Sequence, residues 1–235
     1  MKKRICILCL LTVFSVGFLS ANVKMSLDVG PVYTYFSSHT TNSSENKTSW
    51  ATHTGGLNVL FGVEFVQNFG VYGSANFAFG QKIIDKSREG NYNHKVITIN
   101  RWKGDLTYVI DSQFGFFYVF HPVKKMDLTL GLGLGIGGSG RNNTSTTVLV
   151  TTKEEKSQVN IGGGVNLNVS YMFTKMVGIY GGISDTLYAP VYTKTVTKTV
   201  TKIGNKSTTA EAEDKSASGK IAHSLNIKAG VQFVF

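Results

Sequence analysis

Apolar and polar residues alternate with a period of two along most of the chain. The clearest run is MDLTLGLGLGIG at 126–137, where Leu and Ile alternate with Thr and Gly. Such alternation is typical of strands whose two faces meet different surroundings. The pattern predicts eight strands, at residues 24–36, 56–65, 70–80, 104–120, 126–137, 158–173, 176–188 and 220–235. In 176–188 the alternation holds through Ile183 and weakens at Ser184 and Asp185.

The connections between these strands are alternately short and long. The short ones are 66–69, 121–125 and 174–175, and the long ones are 37–54, 81–103, 138–157 and 189–219. Strict alternation of this kind predicts an up-and-down barrel of antiparallel strands with two unlike ends. Residues 144–153 and 193–202 are rich in Thr and Val, which favour strands, so we expect both segments to extend their hairpins.

One face of the predicted strands is continuously Leu, Val, Ile, Phe and Tyr, and the other carries Gly, Asn, Ser and Thr with few charges. A soluble barrel, the alternative, would present a water-facing side rich in Lys, Glu and Asp. The apolar runs have the length of about 9–11 residues that crosses a bilayer as a tilted strand. Small residues suit the narrow interior of eight strands. We therefore predict an all-β fold, an eight-stranded antiparallel transmembrane β-barrel.

The N-terminus has the three parts of a secretory signal peptide. Lys2, Lys3 and Arg4 precede an apolar stretch from Ile5 to Leu19, and the small residues Ser20 and Ala21 follow. We expect cleavage after Ala21, with 22–235 as the barrel; an uncleaved anchor helix is the alternative. Cleavage removes both cysteines and three positive charges, so the formal charge of +10 falls to +7. The mature chain then has no disulfide and no thiolate metal site.

Charged residues on the polar face define the first candidate site. Buried charges must pair or be hydrated, so they form either a polar plug, in which Lys228 neutralises Asp28 or Asp111, or a selective pathway. The predicted interior network consists of Lys24, Asp28, Glu64, Asp111, Asp127 and Lys228.

Aromatic residues near strand ends are predicted to anchor the barrel at the membrane interfaces, because their rings favour that depth. This set comprises Phe65, Tyr118, Tyr171, Trp50 and Trp102. The histidines show no spacing typical of a metal site, and no spacing of His, Ser and Asp indicates catalysis; they are His39, His53, His94, His121 and His223. We predict neither an enzyme activity nor a cofactor.

The last strand carries the pattern Lys228-x-Gly230-x-x-Phe233-x-Phe235, which ends at the last residue. It resembles the C-terminal assembly signal of bacterial outer-membrane barrels. Together with the signal peptide and strand number, it makes the chain similar to OmpX-like, OmpA-barrel-like and OmpW-like proteins and to small spirochaetal barrels. The resemblance implies an outer-membrane location and recognition of this strand by the barrel-assembly machinery.

The expected function is that of a monomeric outer-membrane barrel in contact with lipid. Its role would be structural, with contact to anionic surfaces or host molecules through the long basic loops 37–54, 81–103, 138–157 and 189–219. No nucleic-acid partner is expected. The alternative is a channel for small hydrophobic compounds of the OmpW type.

Overall fold

The computed structural model describes residues 23–42, 46–89, 92–99, 107–146, 150–203, 206–216 and 221–235. Within them no helix is long and apolar enough to cross a bilayer. The strands are β1 (Lys24–Asn42), β2 (Asn46–Val66), β3 (Phe69–Glu89), β4 (Tyr92–Ile99), β5 (Thr107–Val123), β6 (Met126–Thr146), β7 (Val150–Met172), β8 (Val177–Ile203), β9 (Lys206–Ser216) and β10 (Ala222–Val234).

Eight of these strands close into a ring. The antiparallel order β1-β2-β3-β5-β6-β7-β8 is completed by β10, which pairs with both β8 and β1. This confirms the predicted eight-stranded barrel. The two further strands lie off the ring: β4 pairs with β3, and β9 pairs with β8.

The two ends of the barrel differ as the connection lengths predicted. At the short-turn end, tight turns join β2 to β3 and β5 to β6, and residues 173–176 join β7 to β8. Asn68 and Lys125 adopt positive φ angles of 67° and 72° in the first two turns; Asn tolerates this region better than most residues. At the other end, called the long-hairpin end, paired strands continue well beyond the predicted spans.

Much of the four long connections is therefore strand, which corrects their description as loops. Cα pairing continues from Ser37–Ala51 out to Asn42–Asn46 in the β1–β2 hairpin. The expected extension at 193–202 is confirmed, because this part of β8 pairs with β7 on one side and β9 on the other. Residues 144–146 and 150–153 likewise lie in β6 and β7. Alternating Thr, Val and other strand formers sustain the ladder there.

Apolar side chains lie on the outside of the barrel and polar ones inside, as predicted. Leu132 is 68% exposed and Phe116 is 59% exposed on the outer wall, whereas Asn58 and Asn226 are fully buried inside. A wall of this kind is stable only when hydrocarbon covers it, and the closed ring leaves no unpaired edge within it.

The strand keeps its regular alternation of inward and outward side chains at 184–185, where the sequence pattern is weak. Asp185 still points outward in phase with Ile183 and Leu187. The phase of β8 changes later, where Val159 of β7 pairs with Tyr192 and Asn160 pairs with Pro190. The extra residue forms a bulge, so Thr193 beyond it points inward.

The seam between β1 and β10 depends on two glycines. Regular pairing stops at Val29–Val231 and resumes at Val32–Lys228. A Cβ on Gly230 would lie 2.2 Å from the carbonyl oxygen of Val29, and one on Gly30 would lie 1.9 Å from that of Ala229. Only glycine allows the two backbones to approach so closely.

Candidate functional site

The candidate site is the barrel interior, beginning with an aromatic group near the long-hairpin end. This group is buried and consists of Phe36, Trp50, Val109, Tyr188 and Ala222. The Arg141 guanidinium lies over the Trp50 ring, 5.5 Å from its centroid, and its Nη2 atom is 3.5 Å from Glu154 Oε1. Side chains from six strands therefore meet across this end.

The prediction that Trp50 anchors the barrel at a membrane interface is wrong. Trp50 is 2% exposed, so it cannot anchor the barrel in lipid headgroups. Because β2 continues to Asn46, Trp50 shares the inward phase of Thr52 and Thr54. Trp102 lies outside the described residues.

The other three predicted interface aromatics lie on strand ends toward the short turns. Each packs against an outer-wall phenylalanine; the pairs are Phe65 with Phe69 at 5.7 Å, Tyr118 with Phe120 at 4.8 Å and Tyr171 with Phe173 at 5.7 Å between ring centroids. Their depth in a membrane stays a prediction.

Below the aromatic group, Asp111 is the centre of a hydrogen-bonded group that we call the plug. Its carboxylate accepts hydrogen bonds from the Tyr188 hydroxyl, from Ser224 Oγ at 2.7 Å and from Asn226 Nδ2 at 2.6 Å. Thr34 Oγ1 donates to Asn226 Oδ1 at 2.6 Å. The plug thus links β5, β8, β10 and β1 across the interior.

A second layer of hydrogen bonds lies beside the plug. Tyr180 OH donates to Asn58 Oδ1 at 2.9 Å, and Asn58 Nδ2 donates to Asn76 Oδ1 at 2.7 Å. Tyr72 OH donates to Gln113 Oε1 at 3.3 Å, and Gln113 Nε2 donates to the Thr186 hydroxyl. The predicted interior network contains charged residues only, so it leaves these uncharged residues out, although all share the inward phase of their strands.

Lys228 is buried on the inward face of β10, and its Nζ atom has no hydrogen-bond partner. Asp28 is also buried, and its Oδ1 atom lacks a partner. The Asp111 oxygens are taken by hydroxyl and amide donors instead of by Lys228. Neutralisation of Asp28 or Asp111 by Lys228 therefore stays a hypothesis.

The short-turn end contains a cavity, which we call the vestibule. Its cavity volume, taken as the space open to the centres of water molecules, is about 50 Å³. At the mouth Lys24 Nζ lies 3.9 Å from Glu64 Oε2 and 3.6 Å from Asp127 Oδ2, and His121 Nδ1 lies 2.7 Å from Asp127 Oδ1. Asp28 lines the cavity deeper inside. The vestibule therefore brings together four of the six predicted interior charges.

A group of titratable side chains also lies on the outer wall. His223 Nε2 is 2.5 Å from Asp185 Oδ1, and the Tyr33 hydroxyl contacts His53 Nδ1. The Tyr35 ring lies between the two histidines, with centroids 5.2 Å from His53 and 6.4 Å from His223. The side chains of His39 and His94 lie outside the described part of the chain, within which no group of His, Cys, Asp or Glu is arranged to hold a metal ion.

The C-terminal pattern lies on β10, with Phe233 and Phe235 on the outer wall. The backbones of Met25 and Phe235 exchange hydrogen bonds of 3.2 and 2.9 Å, so the last residue completes the ladder with β1. Recognition of this strand during assembly stays a prediction.

The architecture is similar to that of solved outer-membrane proteins. OprG from Pseudomonas aeruginosa is 12% identical with a TM-score of 0.54, over 92% of this chain and 97% of that chain. A major outer membrane protein from Thermus thermophilus is 10% identical with a TM-score of 0.50, over 88% of this chain and 99% of that chain. No curated protein matches the chain in sequence.

These likenesses, with the closed ring and the apolar outer wall, show the fold of bacterial outer-membrane β-barrels. A family model described as a domain of unknown function matches residues 12–235, nearly the whole chain. The chain therefore belongs to the DUF2715 family.

Proposed function

We propose that the protein is a non-conducting, monomeric barrel of the outer membrane that holds its long hairpins at the cell surface. It has no enzyme activity in this proposal. The observation that carries the proposal is the plug around Asp111, which joins opposite walls of the interior. An eight-stranded barrel leaves an interior that side chains can fill, and here they do so from the aromatic group to the second hydrogen-bonded layer.

Conductance in a planar bilayer tests the plug directly. The purified barrel should give no reproducible current steps. Regular steps from the unaltered protein, or transport of small hydrophobic compounds by vesicles containing it, would favour the channel hypothesis instead.

The surface role needs the long-hairpin end to face outward. Single cysteines at Lys198 in β8 and at Lys124 in the short turn give matched probes, because both positions are exposed. An impermeant maleimide added to intact cells should label the cysteine at 198 and leave that at 124 unlabelled. Labelling of position 124 alone would reverse the orientation.

The distribution of charge suggests which hairpin meets an anionic partner. In the β7–β8–β9 sheet, acids interleave with lysines, and Glu213 Oε1 lies 3.0 Å from Lys194 Nζ and 2.9 Å from Lys215 Nζ. Residues 81–103, which include β4, carry six lysines and arginines against two acids. We propose that this β3–β4 hairpin contacts acidic polysaccharide, because its positive charge is less compensated.

Retention on immobilised heparin, used as the anionic probe, tests this assignment. Changing Lys82, Lys86, Arg88 and Lys95 to Gln should bring elution to a much lower salt concentration. The control changes four lysines of the β7–β8–β9 sheet, Lys153, Lys194, Lys198 and Lys215, to Gln. Equal losses in both variants would show a general effect of net charge and contradict the assignment to β3–β4.

Biogenesis is the last part of the proposal: the assembly machinery recognises Lys228, Gly230, Phe233 and Phe235 on β10. The Phe235 side chain contributes apolar contact worth about 1–3 kcal/mol. Deleting Phe235 should leave refolding into detergent nearly normal and reduce insertion in cells strongly. Normal insertion of the deletion variant would remove the assembly role.

A further inference from the structure

We propose that the vestibule binds a small organic cation, a primary ammonium on a short apolar stem. The proposal concerns the short-turn end of the interior and does not rest on the surface role of the hairpins. It follows from two unlike walls of the cavity. Asp28, Asn166 and Asn168 belong to the polar wall, and Leu60, Phe117 and Val119 belong to the apolar wall.

The polar wall has acceptor atoms that no protein group satisfies. Asp28 Oδ1, Asn166 Oδ1 and Asn168 Oδ1 all lack hydrogen-bond partners. The three residues are 2%, 2% and 6% exposed, and all three line the vestibule. A buried acceptor without a donor is unfavourable, because it has lost its hydrogen bonds to water. Asn166 Nδ2 is also without a partner. An ammonium group carries three donors and no acceptor, so it complements the three oxygens.

The apolar part of the lining, where Leu60 is the cross-strand neighbour of Asp28, fits the rest of such a ligand. Leu60, Tyr72, Phe117 and Val119 form one buried apolar cluster. A short alkyl stem would remove apolar surface from water there. The faces of aromatic rings also attract cations, and Tyr72 and Phe117 place two rings in the lining.

The charge of the lining favours a cation over an anion. Asp28, Glu64 and Asp127 contribute three carboxylates against the single ammonium of Lys24. Lys24 lies at the mouth between Glu64 and Asp127. Deeper in the cavity, Asp28 shares a hydrogen bond with Gln232. Lys228 lies near Asp28 and offsets part of its charge without a hydrogen bond. Since the described residues offer no trio of metal-ligating side chains, an organic cation fits better than a metal ion.

Titration of the mature barrel in detergent micelles with butylammonium chloride tests the site. The side-chain amide NMR signals of Asn166 and Asn168 should shift and saturate. Butanol, which has the same apolar stem without the charge, and sodium chloride are the matched probes and should give no saturable shift. Equal shifts with butanol would show an apolar cavity only, and no saturable shift with butylammonium would show a cavity that holds water only; either result overturns the proposal.

Variants separate the site from a general effect of charge. Asp28→Asn removes the charge-assisted hydrogen bond and should weaken butylammonium binding by about tenfold or more. Asp185→Asn changes a carboxylate on the outer wall and should leave the affinity unchanged. If Asp28→Asn does not fold, as judged by its gel mobility before and after heating, Asn166→Leu should abolish binding in a folded barrel. Unchanged affinity in the folded variants would contradict the assignment.

Discussion

The two ends of the barrel interior are built from the same alternating strands but are filled differently. Toward the long hairpins the inward positions carry large side chains such as Trp50 and Tyr188, which are 2% exposed. Toward the short turns many inward positions are small, as at Gly62, Gly131 and Ser170, and a cavity remains. The strand number is the same at both ends, so it does not decide whether the interior is closed.

Hydrogen bonding follows the same division. Both Asp111 oxygens accept hydrogen bonds in the plug. In the vestibule, Asp28 and Asn166 keep buried polar atoms without partners. A buried polar layer stabilises the fold when all its groups are hydrogen-bonded, whereas each buried group without a partner destabilises it. The plug should therefore stabilise the barrel, and the polar wall of the vestibule should not.

The largest expected effect is the loss of Asp111. Asp111→Ala leaves Tyr188, Ser224 and Asn226 without their shared acceptor in a buried place. Leaving a buried donor unsatisfied costs about 1–3 kcal/mol for each group. The midpoint of urea unfolding in lipid vesicles should fall accordingly.

Asp127→Ala is the matched control at the other end. Its carboxylate contacts Lys24 and His121 at the partly exposed mouth. Solvent-exposed ion pairs contribute about 0–1 kcal/mol, so its unfolding midpoint should change little. Equal destabilisation by the two variants would end the distinction between plug and vestibule.

The next effect concerns the seam. Gly230→Ala places a Cβ 2.2 Å from the Val29 carbonyl oxygen, so β1 and β10 must move apart. Overpacking of this kind costs about 1–3 kcal/mol. Gly73→Ala is the control, because nothing lies within 4 Å of its added Cβ. A normal urea midpoint for Gly230→Ala combined with poor insertion in cells would assign this glycine to recognition alone.

Sequence reasoning identified the strands and their facing because both depend on local alternation. The outward phase of Leu128 to Ile136 follows from the sequence without knowledge of any partner strand. Trp50 was assigned wrongly because its segment was interpreted as a loop, and a residue in a loop has no phase. Thr and Ser are common in loops and in exposed strands alike, so composition could not separate the two there.

The partners of the interior charges could not be predicted. Asp111 meets Ser224 and Asn226, which follow it by more than a hundred residues, only because the ring closes through β10. Strand register and barrel closure decide such contacts, and neither can be predicted from the local pattern of a single sequence. The vestibule depends in the same way on which small residues share a level, such as Gly62 and Gly131 on different strands.

Replacing a buried asparagine by leucine should have different effects on the stability of the barrel in the two parts of the interior. Asn58→Leu breaks hydrogen bonds to Asn76 and Tyr180, leaving both groups buried, and should destabilise the barrel by about 1–3 kcal/mol. Asn166→Leu removes two atoms that have no partner, so stability should be unchanged or slightly higher. Urea midpoints of the two folded variants give the comparison. A loss of stability in Asn166→Leu equal to that in Asn58→Leu would mean that solvent satisfies Asn166 in the barrel.

The smallest effect is expected outside the barrel interior, in the β8–β9 hairpin at the long-hairpin end. Hydrogen bonds from Lys215 and then Lys194 lower the pKa of the exposed Glu213 carboxyl below its ordinary value. A lowered pKa means that the interaction is present above the ordinary glutamate pKa and is lost as the pH falls through the lowered one. The protection of the β9 amides against hydrogen exchange should then decrease as the pH is lowered. The urea midpoint of the whole barrel should be the same in Glu213→Gln as in the unaltered protein.

Glu213→Gln should remove that pH response of β9, since the amide stays neutral. Glu211→Gln, two residues away on the same strand, should keep it because Glu213 still contacts Lys194 and Lys215. A fall in the urea midpoint of Glu213→Gln would show that the hairpin supports the barrel, and the filled interior would then not account for the stability of the long-hairpin end by itself.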